Sequence, residues 1–185
     1  MPAGERRALI AAAAAERFAE RGYDATTLDE IAAAAGVTKP ILYRHFGSKP
    51  ELYMALLARH RDDLPTFLSA AAEAGPQPTV EAILDNWLAY ARRNSHGWRM
   101  LFRDRGGDAE IAALREETMR RAREVLVAWL GSRPDSVVPA EELEPTAEII
   151  RAGLAGLVLW WIDHPDVPRE HLVAAASRIV APLAT

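Results

Sequence analysis

The stretch Thr27-Leu28-Asp29-Glu30-Ile31-Ala32-Ala33-Ala34-Ala35-Gly36-Val37-Thr38-Lys39-Pro40-Ile41-Leu42-Tyr43-Arg44-His45-Phe46 places two helix starts around one helix stop. Thr27 can cap free backbone amides while Glu30 reaches back to it, the reciprocal pattern of a capping box. Leu28, Ile31, Ala32 and Ala35 then recur at helical spacing. Gly36 supplies the left-handed residue that ends this helix. Thr38 stands as the cap of the next, very short helix, with Pro40 in its first turn, where a missing amide costs little. That helix runs to about Phe46. A second box, Ser48-Lys49-Pro50-Glu51, opens a longer helix carrying Leu52, Tyr53, Leu56 and Leu57.

Upstream, residues 5–21 read as a first helix with Ile10, Ala14 and Phe18 one turn apart, closed by Gly22. Downstream, breaks fall at 75–78, 95–97, 106–107, 131–139 and 164–165, and helices fill the intervals. Ile111, Leu114, Thr118, Ala122, Val125 and Trp129 form a stripe of period 3.6, and Leu172, Ala176, Ile179 and Leu183 repeat it near the end. No alternating strand pattern or Asn-Gly or Asp-Gly hairpin signal appears. The fold expected is all-α: an N-terminal three-helix unit containing a helix-turn-helix, residues 1–50, followed by a helical bundle, residues 51–185.

Composition narrows the function classes. The 185 residues contain no cysteine, which removes disulfides, thiol nucleophiles and cysteine zinc sites. The five histidines show no metal-ligand spacing, and no His-Glu-x-x-His, Gly-x-Ser-x-Gly or phosphate-cradling loop appears, so neither an enzyme nor a metal or cofactor site is expected. Net charge is -4, too acidic for a protein that bends DNA by bulk electrostatics. The distribution is uneven: residues 1–61 carry a net +2 and the remainder -6. The most apolar stretch, residues 152–162, is far short of the roughly 20 residues of a membrane span, and no leader pattern is read at the N-terminus. A cytoplasmic location with no membrane partner is expected.

Two short helices joined through a glycine turn let the second enter the major groove of DNA while the first braces it. The side chains suit that use. Lys39 can neutralise a phosphate or donate to guanine, Thr38 and Tyr43 can bond phosphate oxygens, and Arg44 and His45 add donors. Lys49 sits in the first turn of the fourth helix, where free amides already favour an anion. Thr26 and Thr27, at the start of the bracing helix, are counted with them. Leu28, Ile31, Val37, Leu42 and Phe46 are read as the small core.

Phe18-Ala-Glu-Arg-Gly-Tyr-Asp-Ala-Thr-Thr-Leu-Asp-Glu-Ile-Ala, continued by Gly36-Val-Thr-Lys-Pro-Ile-Leu-Tyr-Arg-His-Phe-Gly-Ser-Lys, resembles the signature of the tetracycline-repressor (TetR) family. The resemblance spans about residues 9–57. It implies a DNA-binding domain, with residues 38–45 as the recognition helix and Tyr43 and Lys49 at positions that hold phosphates. Pro40 and Ile41 depart from a commoner Gly-Thr pair, so apolar contact with a thymine methyl replaces a hydroxyl contact at position 41.

The resemblance further implies a homodimer that represses transcription at a palindromic double-stranded operator until a small-molecule inducer binds the C-terminal domain. Its ligand-independent or partner-controlled counterpart is the alternative. For the inducer cavity, Trp87, Tyr90, Trp98, Phe102, Met119 and Trp129 are the candidates, because aromatic and soft side chains line apolar ligand sites, although ordinary core packing is the commoner role for any single one of them. Asn94, His96 and Arg103 are polar candidates beside them. For the dimer, the helix over 145–164 offers Ala152, Gly153 and Gly156 for close approach with Leu154, Leu157 and Trp160 burying area, and the helix over 172–183 offers Leu172, Ala176 and Ile179.

Overall fold

The structure, a computed structural model, describes residues 3–59, 61, 79–132 and 137–183. Among the described residues every regular element is helical, as expected. In chain order these are α1 (Ala3–Ala25), α2 (Leu28–Ala34), α3 (Lys39–His45), α4 (residues 49–59), α5 (Val80–Arg93), α6 (Ser95–Phe102), α7 (Ala109–Gly131), α8 (Leu143–Asp163) and α9 (Arg169–Val180). Single 3-10 turns, Ala140–Glu142 and Ala181–Leu183, precede α8 and follow α9. The chain divides into two compact units: Met1–Arg61 with His96–Glu116, and Asp62–Ser95 with Glu117–Thr185.

In the first unit, Ile10, Ala14 and Phe18 of α1, Ile31 and Ala32 of α2, Leu42 and Phe46 at α3, and Leu52, Tyr53 and Leu57 of α4 are buried, along with Met100 and Ile111. Large apolar side chains of this kind each contribute about 1.5–3 kcal/mol on burial. The Phe18 and Tyr23 rings both meet Tyr53, at 4.8 and 5.0 Å between centroids and nearly edge-on. The unit runs past the division expected at residue 50. Asp104 explains why residues 96–116 join it: its carboxylate accepts from the Tyr23 amide and the Tyr53 hydroxyl, both at 2.7 Å, and from the Gly106 amide at 2.9 Å. Arg115 completes the cluster, donating to Tyr53 Oη at 2.6 Å and to the Gly106 carbonyl at 2.7 Å.

In the second unit, Val80 and Leu84 of α5, Leu130 of α7, Ala147 and Ile150 of α8, and Ala176 and Val180 of α9 form a core, with Leu126, Trp129, Leu154, Leu157 and Val173 packed on it. Asp85 pairs with Arg169 at 2.8 Å, tying α5 to α9. The Arg92 guanidinium lies 4.7 Å from the Trp161 ring centroid, tying α5 to α8.

The sequence expectations on boundaries need three adjustments. The break read over 95–97 is narrower, since α6 begins at Ser95 and only Asn94 interrupts helix. The break at 75–78 lies outside the described residues, as does part of that at 131–139. The third concerns length. The apolar run at 152–162 belongs to a continuous helical segment, Ala140–Asp163, of 24 residues, which by length and composition alone is long and apolar enough to cross a membrane. Its inner face, Ala147, Ile150, Ala155, Val158 and Trp161, is buried in the unit core, and Arg151 pairs with Glu148 along it.

Candidate nucleic-acid interface

The bracing helix α2 is fixed by its first and last turns. Thr27 Oγ1 accepts from the Glu30 amide at 3.3 Å, and Glu30 accepts from the Thr27 amide at 2.8 Å, so the expected capping box is formed. These bonds, with the Arg21 guanidinium beside it, hold the Glu30 carboxyl below the usual carboxylate range. At the other end Gly36 adopts φ +63°. Its amide bonds the Ala33 carbonyl and the Val37 amide bonds the Ala32 carbonyl, the paired C-terminal closure that needs a left-handed residue.

Helix α3 starts differently. Thr38 occupies the cap position, but its side chain makes no cap hydrogen bond, contrary to the cap role read from sequence. Pro40 restrains the first turn instead. Leu42 and Phe46 anchor the inner face, at 0% and 2% exposure, while Thr38, Lys39, Pro40, Tyr43 and Arg44 are exposed and Ile41 is half-buried. A short helix therefore shows one cationic, hydroxyl-bearing face outward. Lys39 Nζ lies 2.8 Å from Asp29 Oδ2 of α2, and that carboxylate raises the ammonium above its usual pKa.

At the start of α4, Ser48 Oγ accepts from the Glu51 amide at 3.1 Å, but Glu51 turns back to the Gly47 amide at 2.9 Å and not to that of Ser48. The second box is thus shifted by one residue on its return arm. Lys49 Nζ sits 4.3 Å above the Tyr23 ring centroid and 3.4 Å from the Asp24 carbonyl, which aims the ammonium along the α1–α2 turn.

Two expected contact residues point elsewhere. Thr26 is 1% exposed, and its hydroxyl donates to the Gly22 carbonyl at 2.8 Å, with the Arg17 carbonyl at 3.2 Å; it closes the α1–α2 turn and has no surface to offer DNA. His45 is half-buried, and its Nε2 is buried without a hydrogen-bond partner among the described residues, so that nitrogen is no outward donor. Thr27 is exposed, with its hydroxyl already bonded to Glu30. One residue that sequence reading passed over enters here: Arg7 of α1 donates to the His45 carbonyl and stacks on Phe46 at 4.0 Å from the ring centroid. Its distance of 38 residues from His45 leaves no local signal.

The ligand candidates divide between the units. Trp87, Tyr90, Met119 and Trp129 belong to the second, Trp98 and Phe102 to the first, where their rings lie 4.9 Å apart. Trp87 and Trp98 are buried, at 7% and 3% exposure, and the other four are half-buried. Arg151 Nη1 lies 3.2 Å from Met119 sulfur.

The dimer candidates divide by face. Ile149, Ala152, Gly153, Gly156 and Trp160 are exposed along one side of α8, and Ile179 is exposed on α9 at 68%. Leu157 is half-buried against its own core. Leu172 and Ala176 are 2% and 5% exposed inside that unit, so they are core residues and not interface residues. Among the described residues no group of three or more metal-ligating side chains occurs.

Residues 10–56 match the family described as bacterial regulatory proteins, tetR family. The chain is 42% identical to the HTH-type transcriptional repressor BepR of Brucella suis over 97% of its own length and 90% of BepR's. It is 40% identical to the HTH-type transcriptional activator FasR of Mycolicibacterium smegmatis over 55% of its own length, a match that spans about half of FasR, 48%. In fold it is similar to the crystal structure of a TetR-like transcriptional regulator from Rhodococcus sp. RHA1, with a TM-score of 0.80, 24% identity, and coverage of 100% of this chain and 96% of that one.

Proposed function

The chain belongs to the TetR family of bacterial regulatory proteins and is a DNA-binding transcriptional regulator; from that premise we propose that it is a cytoplasmic repressor released from its operator by an apolar small molecule. The observation that carries the reading is the outward face of α3, where Thr38, Lys39, Pro40, Tyr43 and Arg44 are exposed on a helix braced by the capped α2. Lys39 and Ile41 read bases in the major groove, and Tyr43 and Lys49 hold phosphates on either side. Repression is preferred to activation because the longer of the two matches above, BepR, is named a repressor.

A recognition helix reads a few base pairs, so useful affinity needs two of them, and half-sites one helical turn or a multiple apart follow from the symmetry of a dimer. The exposed apolar row of α8, Ile149, Ala152, Gly153, Gly156 and Trp160, together with Ile179 of α9, supports pairing with a second copy. For the inducer, Trp87, Tyr90, Met119 and Trp129 of the second unit are the proposed contacts.

The test is selection of duplexes from a random-sequence pool by the purified protein. The expected outcome is a two-fold symmetric sequence, bound at least 10³-fold more tightly than random duplex at moderate salt. Enrichment of no sequence, or of one without symmetry, overturns the reading.

A further inference from the structure

Helix α3 is seven residues long, far below the length at which a helix holds itself together in water. Its start lacks a side-chain cap bond, and its last carbonyls are left without intrahelical partners, as at every helix end. The Arg7 guanidinium meets that end. It donates to the carbonyl of His45, the last residue of α3, and its Cζ stands over the Phe46 ring, 4.0 Å from the centroid. Phe46 is 2% exposed and therefore fixed in the core, so the ring is a rigid seat. A cation at this position also complements the negative end of the helix dipole.

We propose that Arg7 is a positioning residue: from α1 it clamps the C-terminal end of α3 and sets the orientation at which Lys39 and Ile41 meet base edges. The inference rests on α3 being the recognition helix. Base readout depends on angle and register more steeply than phosphate attraction does, so loosening the clamp reduces affinity for the correct sequence while leaving attraction to any duplex.

The experiment compares wild type, Arg7→Ala, Arg7→Lys and Lys39→Ala on a duplex selected by the wild-type protein and on a random duplex, across a salt series. Arg7→Ala is expected to weaken the selected duplex about tenfold, the scale of one charge-assisted hydrogen bond, with random-duplex affinity and salt slope unchanged. Arg7→Lys, which keeps charge but cannot stack a plane and donate together, recovers part of that loss. Equal weakening on both duplexes with a shallower slope identifies Arg7 as a plain phosphate contact and overturns the proposal. So does unchanged affinity in Arg7→Ala. If Lys39→Ala alone changes nothing on either duplex, the recognition-helix reading fails and this inference with it; if Lys39→Ala weakens the selected duplex and Arg7→Ala does not, only the clamp fails. Circular dichroism and thermal unfolding check that each variant folds, and Arg7→Gln replaces the alanine variant if it does not.

Discussion

Asp104 Oδ2 lies 2.7 Å from the Tyr53 hydroxyl, although 51 residues separate them in the chain. The side chains of Asp104 and its ion-pair partner Arg115 are only 8% and 13% exposed, with the charges 3.6 Å apart. Burial and the neighbouring carboxylate push the Tyr53 phenol far above its usual pKa. A buried charge is tolerable only when paired and hydrogen-bonded, and this cluster meets that condition for Asp104 with three donors. Asp104→Ala leaves Arg115 without its counter-charge and frees the Tyr23 amide. It should lower unfolding free energy by about 3 kcal/mol in urea titration, against about 1–2 kcal/mol for Tyr53→Phe. A loss below 1 kcal/mol in Asp104→Ala means the cluster is solvated in solution.

The capping box at α2 predicts a pH dependence with a definite sign. Glu30 is held below its ordinary pKa of 4.5 in the folded state, so its contribution is present at neutral pH and is lost as pH falls through the lowered folded value. Glu30→Gln should therefore flatten the acid limb of the stability curve. Thr27→Ala should destabilise by about 1 kcal/mol at neutral pH. Superimposable acid limbs in Glu30→Gln and wild type would show that the bond does not persist in water.

Lys49 and Asp29 give opposite predictions on DNA. Lys49→Ala should weaken selected and random duplexes alike and reduce the salt slope by roughly one unit per subunit. Asp29 holds a negative charge 2.8 Å from Lys39 of α3. Asp29→Asn should raise affinity for random duplex by a few-fold and steepen the slope, since Lys39 is then free for a phosphate. A decrease on random duplex would mean that Asp29 orients Lys39 productively and does not compete with DNA.

At Gly156 of α8, an added Cβ meets no atom of the same chain within 4 Å. Gly156→Arg should therefore leave the protomer folded, with slightly better helix propensity, and yet produce monomers in sedimentation at micromolar concentration. Its affinity for a two-half-site duplex should fall steeply because each half-site alone forfeits the contacts of the other. A variant that still sediments as a dimer places the interface elsewhere.

An inducer that binds the second unit should quench tryptophan fluorescence, and Trp129→Phe should reduce that quenching without changing operator affinity in the absence of ligand. Ligand and DNA must then weaken each other by the same factor, typically about 5- to 150-fold. If no compound in a broad hydrophobic library both quenches and releases DNA, control by a partner protein or by DNA alone replaces the proposal.

The helix-turn-helix was legible in the sequence because its determinants are local. Thr27 and Glu30, three residues apart, meet in the capping box, and Gly36 ends α2 by its own conformational freedom. Helical periodicity likewise marked Leu42 and Phe46 as inward, with Tyr43 and Arg44 between them outward. None of this required knowledge of distant parts of the chain.

Only the tertiary structure decided the rest. Thr26 turned inward because the Gly22 and Arg17 carbonyls needed a donor. Arg7, Asp104 and Arg115 acquired roles through partners 38 to 81 residues away, beyond the reach of any spacing rule. On α9, one apolar stripe held both Leu172, buried in its own unit, and Ile179, exposed on the outside. Periodicity says that a side chain is apolar and which neighbours share its face; whether that face meets the chain's own core or is left for a second molecule depends on how many other helices pack against it, a property of the assembled unit.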